Sequence, residues 1–161
     1  MLPHLDAAFD LALRLMGERR DAEDAVQEAY LRAFRFFEGY RGGDSRVWIL
    51  TIVRNACYDS LKRNRMKERQ TTEFEEEIHS ENGGSSNAEA EILERIDGND
   101  LKRALDSLAV EDREILILRE MEGFSYKEIA GSISIPIGTV MSRLARARQK
   151  LKNELLRRRD Q

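Results

Sequence analysis

The 161-residue chain contains few of the residues that form disulfides, membrane spans or catalytic centres. Its single cysteine, Cys57, excludes an internal disulfide, and no run of about 18 apolar residues predicts a membrane span. The first residues lack the basic start and apolar segment of a signal peptide, so we expect a cytoplasmic protein without membrane insertion. His4 and His79 are the only histidines, and neither a metal-ligand spacing nor a phosphate-binding loop is present. The sequence therefore predicts no cofactor, no metal site and no enzyme activity.

Strand signals are also sparse, because the chain has two prolines, ten glycines and no β-branched run that alternates cleanly. Apolar residues recur instead at spacings of three and four, which predicts an all-α fold. The expected architecture is two small helical domains, residues 1–65 and 89–161, joined by a flexible acidic linker over residues 66–88. The second domain is expected to contain a helix-turn-helix.

The first domain is expected to hold three helices. Asp21 is the predicted N-cap of the second helix, and the third helix is expected to start near Asp44 or Ser45 and to close in a basic turn at Arg65. We predict a core position for Cys57, for Trp48 and for most aromatic residues near the end of the second helix. These are Phe34, Phe36 and Phe37, with Tyr40 as the expected exception.

The net charge of −3 argues against a nucleic-acid-binding protein, but the charges are unevenly distributed. Residues 137–161 contain eight basic and two acidic residues, a net charge of +6. Residues 66–98 contain three basic and ten acidic residues, a net charge of −7. A basic C-terminal helix and an acidic middle segment are therefore concealed within a nearly neutral total.

A helix-turn-helix is predicted by the segment SYKEIAGSISIPIGTVMSRLARAR, which begins at Ser125. Ser125 and Glu128 have the spacing of a capping box, and Pro136 suits the first turn of a following helix that extends to about Arg157. One side of that helix is apolar, and its other side offers candidate base-reading residues at Ile137, Thr139, Ser142, Arg143 and Arg146. The alternative is an ordinary solvated amphipathic helix, which the capping box, short turn and proline together disfavour.

The region from Leu118 onward, which includes this segment, resembles the −35-binding domain of the extracytoplasmic-function (ECF) sigma factors. The motifs that carry the resemblance are LREMEGFSYKEIA and IPIGTVMSRLARAR. The N-terminal half resembles the −10-binding domain of the same family. The motifs that carry this second resemblance are DAEDAVQEAYLRAF, YRGGDS and WILTIVRNACYDSLKR. Two departures stand out, because Met141 occupies a position that is usually basic and Ser134 replaces a common turn glycine.

The resemblance implies a transcription initiation factor that binds core RNA polymerase through its β′ clamp helices and β flap, binds promoter DNA and has an anti-sigma factor. It assigns polymerase binding to Asp24, Gln27, Glu28 and Leu31. Contacts with the −10 element fall on Tyr40, Arg41, Asp44, Ser45, Asn55, Lys62 and Arg63. Contacts with the −35 element fall on Ile137, Thr139, Ser142, Arg143, Arg146 and Arg148.

The length of the predicted linker indicates that a larger protein must hold the two domains when both bind DNA. About 22 residues average roughly 25 Å and reach roughly 75 Å when extended. Two promoter elements about 20 base pairs apart are separated by on the order of 70 Å, so core polymerase is the expected holder of both domains. A helix-turn-helix regulator acting without core polymerase, or a module that only binds an anti-sigma factor, remains an alternative.

Overall fold

The computed structural model describes residues 4–40, 42–71 and 98–159, and every regular element within these ranges is helical. The all-α fold class predicted from the sequence is therefore confirmed. Along the chain, the described helices are grouped into two units, one before residue 72 and one after residue 97. The acidic segment from residue 72 to residue 97 lies outside the described ranges, so the domain boundaries at residues 65 and 88 stay predictions.

The N-terminal unit contains three helices, α1 (Leu5–Met16), α2 (Arg19–Arg35) and α3 (Ser45–Thr71), with a 3₁₀ turn at Phe37–Gly39. Two details differ from the sequence predictions. The N-cap of α2 is Glu18 instead of Asp21, and α3 continues beyond its expected basic end at Arg65.

The core of this unit depends on close approach between α2 and its neighbours. The inward face of α2 carries four buried alanines, whose small side chains let α1 and α3 pack closely. Arg32 adds a polar tie, because its Nη1 lies 2.8 Å from Asp59 Oδ2 on α3. Cys57 is fully buried, as predicted. The larger core side chains are Leu11, Leu15, Val26, Ile49, Leu50 and Val53.

The prediction that Phe34, Phe36 and Phe37 are core residues is wrong, because each is more than half exposed. Phe34 follows buried Ala33, and one residue along a helix turns the side chain by about 100°, away from the core. Phe36 and Phe37 follow the last residue of α2, so the helical pattern no longer directs them inward. Trp48, also predicted to be in the core, is half-buried.

The C-terminal unit contains four helices: α4 (Gly98–Ser107), α5 (Val110–Leu116), α6 (Tyr126–Ile133) and α7 (Ile137–Arg159). A π-helical segment, Ile117–Met121, extends α5, and the Glu122 N–H donates to the Ile117 carbonyl at 2.9 Å. The wider π turn therefore interrupts the regular α-helical hydrogen bonding at the end of α5.

The core of the C-terminal unit lies between α7 and the preceding helices. Phe124 is its largest fully buried side chain, and Val140, Leu144 and Ala147 supply the buried stripe of α7. Arg113 Nη1 donates to the carbonyls of Asp106 at 3.0 Å and Leu108 at 3.3 Å, which satisfies acceptors at the end of α4. None of the described helices combines the length and apolarity needed to cross a membrane.

Candidate nucleic-acid and protein interfaces

Local hydrogen bonds build the helix-turn-helix around α6 and α7. The Glu128 N–H donates to Ser125 Oγ at 3.0 Å, and the Ser125 N–H donates to Glu128 Oε1 at 2.8 Å, which confirms the predicted capping box. Ser134 adopts a left-handed conformation with φ 59°, the backbone region that glycine enters without strain. The Val140 N–H then donates to the Pro136 carbonyl at 3.1 Å, so Pro136 initiates α7 as predicted.

The exposed side of α7 brings together several side chains that the sequence assigned to DNA. Ser142, Arg143 and Arg146 are exposed, and Thr139 is half-buried one turn earlier. The Ser142 hydroxyl donates to the Thr139 carbonyl at 3.1 Å, which leaves its oxygen able to accept from a ligand. Among the described residues, neither Arg143 nor Arg146 has a hydrogen-bonding or ion-pair partner. This face therefore presents two guanidinium groups beside a hydroxyl acceptor.

A shallow groove beside this face mixes both signs of charge. Arg143, Arg146 and Lys150 of α7 line it together with Glu111 and Asp112 of α5. Lys150 Nζ lies 3.1 Å from Asp112 Oδ2, so this cation is already paired with a carboxylate.

Other cations of the basic helix are also paired. Arg148 donates to Glu120 Oε1 from Nη2 at 2.6 Å and from Nε at 3.1 Å, which links α7 to the π-helical segment. Arg157 and Arg158 both bond to Glu154, and the hydrogen bond from Arg157 holds the pKa of Glu154 below its usual value. Glu120 and Asp112 lie outside residues 137–161, so within the fold they offset two of the six net positive charges read from the sequence.

The loop between α2 and α3 is shaped by the residues that the resemblance assigned to −10 DNA. The Tyr40 hydroxyl donates to the Gly43 carbonyl at 2.6 Å, and the Tyr40 and Trp48 ring centroids are 5.0 Å apart. Gly42 and Gly43 both have positive φ, which permits the tight return of the chain. Arg41, the remaining assigned residue of this loop, lies outside the described residues.

The start of α3 is fixed by side chains on both sides. Asp44 Oδ1 accepts from the N–H groups of Arg46 at 2.9 Å and Val47 at 3.4 Å, so Asp44 is the N-cap. Ser45 Oγ lies 3.1 Å from His4 Nε2, a contact across 41 residues that sequence reasoning missed.

Farther along α3, exposed Asn55 accepts from Arg54 Nη1 at 3.1 Å. The Arg54 guanidinium also stacks 4.0 Å from the centre of the Tyr58 ring. Lys62 and Arg63 follow as exposed cations. The analysis of the sequence did not single out Arg54 or Tyr58, although their spacing of four residues was the available signal.

The residues predicted to bind polymerase form one continuous strip on α2. Asp24, Gln27, Glu28 and Leu31 follow the spacing of one helix face, opposite the buried alanines. Leu31 is 49 % exposed, and Glu28 accepts from Arg32 Nε at 3.3 Å. The strip therefore combines carboxylate, amide and apolar groups on a helix whose opposite face is fixed by its core. Within the described residues, no cluster of three potential metal ligands occurs.

Two family profiles match the chain in sequence order. Sigma-70 region 2 matches residues 2–66, and Sigma-70, region 4 matches residues 98–151. The two matched segments coincide with the two helical units to within a few residues at their inner ends.

Curated relatives with the name ECF RNA polymerase sigma factor cover most of the chain. SigE from Mycolicibacterium smegmatis is 36 % identical over 153 residues, which are 94 % of this chain and 58 % of the relative. EcfG from Rhodopseudomonas palustris is 34 % identical over 87 % of this chain and 74 % of its own length. The sigma-E factor of Escherichia coli is 33 % identical over 84 % of this chain and 74 % of its own length. The chain thus spans a little more than half of the first relative.

Two solved structures have a similar fold. The sigma factor RpoE in complex with the anti-sigma factor NepR from Bartonella quintana matches with a TM-score of 0.75 and 30 % identity, over 96 % of this chain and 92 % of that one. CnrH in complex with the cytosolic domain of CnrY matches with a TM-score of 0.60 over 93 % of this chain and 81 % of that one. Its identity of 21 % supports the fold alone.

Proposed function

Because this chain belongs to the ECF RNA polymerase sigma factors, we propose that it binds core RNA polymerase and directs it to promoters through their −10 and −35 elements. The ordered match to two sigma regions is the observation that carries this proposal. In this role the polymerase catalyses RNA synthesis, and the chain is a non-catalytic subunit bound to it in the cytoplasm. Residues 1–65 read the −10 element, residues 89–161 read the −35 element, and residues 66–88 connect them.

In the proposed −35 complex, the exposed side of α7 enters the major groove. Ile137, Thr139, Ser142, Arg143 and Arg146 contact bases or phosphates there, and the unpaired guanidinium groups of Arg143 and Arg146 support this assignment. Arg148 joins them as a cation that Glu120 holds in place.

In the proposed −10 complex, the loop before α3 receives a base that leaves the DNA stack. Extruding a base costs a few kcal/mol, which stacking and backbone contacts offset. The hydrogen-bonded loop with the stacked rings of Tyr40 and Trp48 supports such a pocket. The other proposed contacts are Arg41, Asp44 and Ser45 in the loop and Asn55, Lys62 and Arg63 along α3.

Core polymerase is proposed to bind the α2 strip through its β′ clamp helices, with the β flap contacting the C-terminal unit. A helix that binds another helix needs one face for its own core and another for the partner, and α2 has both. RpoE, which is 30 % identical to this chain, was solved in complex with the anti-sigma factor NepR. We therefore include an anti-sigma factor among the proposed partners.

The test is promoter binding and run-off transcription with purified chain, core RNA polymerase, or both. We expect weak DNA binding by the chain alone and selective binding and initiation by the assembled holoenzyme. Strong specific binding by the chain alone, or failure of core enzyme to capture it at micromolar concentration, contradicts the proposal. A regulator that acts without core polymerase leaves the match over residues 2–66 unexplained, so we do not favour it.

A further inference from the structure

Two large apolar side chains lie exposed near the start of the recognition helix α7. Ile137 is 46 % exposed and Met141 is 53 % exposed, and the spacing of four residues places them on one face in adjacent turns. Ala145, one turn farther, is also exposed. We name Ile137, Met141 and Ala145 the apolar strip of α7.

The apolar strip lies beside polar groups on the surface of the same helix. At 100° per residue, Ser142 and Arg146 lie on one side of the strip, toward the middle of the exposed face. Arg148, paired with Glu120, lies two turns after Met141 on nearly the same line of the helix, so this ion pair marks the far end of the strip. The strip therefore borders the buried stripe at Ile137, about 20° from Leu144, and extends at Met141 and Ala145 onto the surface that carries the DNA-directed polar groups.

We propose that Met141, together with Ile137, contacts the 5-methyl groups of thymines in the −35 element and makes thymine the preferred base at the positions it meets. This inference rests on the proposed function, because it assigns a base preference to the same DNA-reading face. Among the groups that base pairs present in the major groove, the thymine methyl is the one that an apolar side chain recognises by contact.

The geometry of a helix in the major groove permits both kinds of contact at once. The groove is about 12 Å wide and a helix with its side chains measures roughly 10–12 Å, so neighbouring strips of the exposed face reach base edges together. Arg146 and Ser142 then supply hydrogen bonds and charge, and the apolar strip supplies methyl contacts. Methionine suits this role because its unbranched side chain adapts to the position of a methyl group.

Replacing thymidine by deoxyuridine tests the methyl contact directly, because deoxyuridine differs from thymidine only in lacking the 5-methyl group. Wild-type holoenzyme first selects its preferred duplexes from a promoter library that is randomised across the −35 element. Each selected thymine in that element is then replaced singly by deoxyuridine, and holoenzyme affinity is measured. We expect a loss of about fourfold at one or two positions, as for removal of one buried methyl group.

Two substitutions of Met141 link this loss to the side chain. Met141→Gln keeps the length of the side chain and removes its apolar character, so we expect this variant to bind thymine and deoxyuridine duplexes equally. Met141→Leu keeps an apolar group and is expected to retain the preference. Lys102→Ala, an exposed substitution on α4, is the matched control and should behave as wild type.

The outcomes separate this inference from the proposed function. Selective holoenzyme binding with no loss at any deoxyuridine, or an equal loss in wild type and Met141→Gln, overturns the methyl contact and leaves promoter recognition standing. A Met141→Gln effect on core-enzyme affinity or oligomeric state without a change in base preference assigns the strip to a protein contact and also overturns it. Absence of any sequence selection by the wild-type holoenzyme overturns both proposals.

Discussion

Arg143 and Arg146 differ from several other cations of α7 in ion pairing. Their guanidinium groups have no partner among the described residues, while Lys150, Arg148 and Arg157 each bond to a carboxylate. An unpaired guanidinium can bind a phosphate or guanine without first breaking an internal ion pair. A residue count of positive charge therefore overstates the number of side chains ready to bind DNA.

We predict that Arg146→Ala weakens promoter binding by the holoenzyme by about 1–3 kcal/mol, or roughly fivefold to 150-fold. Fluorescence anisotropy with a selected promoter measures this change, and run-off transcription should fall in parallel. Arg157→Ala is the matched control, because that arginine is exposed on the same helix but bonds to Glu154. Unchanged affinity after Arg146→Ala removes this residue from the proposed contacts.

Ser134 has a backbone conformation that lowers the free energy of unfolding. With φ 59° it lies in the left-handed region, which is unfavourable for residues that carry a Cβ. We predict that Ser134→Gly raises the free energy of unfolding by about 0.5–1 kcal/mol after the added entropy of the unfolded chain is considered. Urea denaturation followed by helical circular dichroism measures it.

Gly123 offers the reciprocal control for this prediction. Its φ of 71° is also left-handed, and beyond its chain neighbours no atom lies within 4 Å of an added Cβ, so no packing clash opposes the substitution. Gly123→Ala should therefore lower the free energy of unfolding through backbone strain alone. Equal stability of wild type and Ser134→Gly would show that the serine conformation carries no measurable strain.

At the level of helices, the Arg148–Glu120 pair connects the recognition helix to the π-helical segment. Arg148 Nε and Nη2 both donate to Glu120 Oε1, and these two hydrogen bonds fix the position of the guanidinium group. Removing an acidic residue near DNA ordinarily strengthens DNA binding, because it removes repulsion from phosphates. A loss of DNA affinity in Glu120→Ala therefore indicates that this carboxylate positions Arg148, whereas a gain indicates that it only repels phosphates.

We predict that Glu120→Ala weakens promoter binding by the holoenzyme a few-fold, since Arg148 loses the group that holds it. Glu111→Ala is the control, because Glu111 lines the groove beside Arg143 and its removal should strengthen binding. Stronger binding by both variants would mean that Arg148 reaches DNA without help from Glu120.

The α2 strip leads to a prediction about the protein partner. Leu31 is 49 % exposed, so Leu31→Ala leaves the core intact and should lower affinity for core polymerase by about tenfold, as for truncation of an interface anchor. Leu5→Ala on α1 removes a similarly exposed leucine and serves as the control. Biolayer interferometry with immobilised core enzyme measures both, and equal affinities would exclude Leu31 from this interface.

For the whole protein, the proposed function requires core polymerase to fix the separation of the two helical units before they read a promoter selectively. Inserting about five base pairs between the −35 and −10 elements rotates one element by half a helical turn relative to the other. We predict a loss of more than tenfold in initiation from such a promoter, and no recovery with an insertion of about ten pairs, which restores the rotation but adds roughly 34 Å to the separation. Initiation that is indifferent to both insertions contradicts cooperative reading of two elements.

Much of the fold was predictable because helices depend on interactions between residues three or four positions apart. The capping box of Ser125 and Glu128, the start of α7 after Pro136 and the buried stripe through Val140 and Leu144 all follow this local rule. The burial of Cys57 followed from the same periodicity. Phe36 and Phe37 were mispredicted because they lie beyond the last residue of α2, where no helical phase applies.

The amino-acid sequence by itself determined the helical class, the helix-turn-helix and the set of cations that α7 carries. The tertiary structure decided which of those cations are available, because Arg148 and Lys150 find carboxylates that lie 28 and 38 residues away in the chain. It also decided the contact of His4 with Ser45, which lie 41 residues apart. Periodicity acts over one or two helical turns, whereas pairing between distant side chains exists only after the helices have packed.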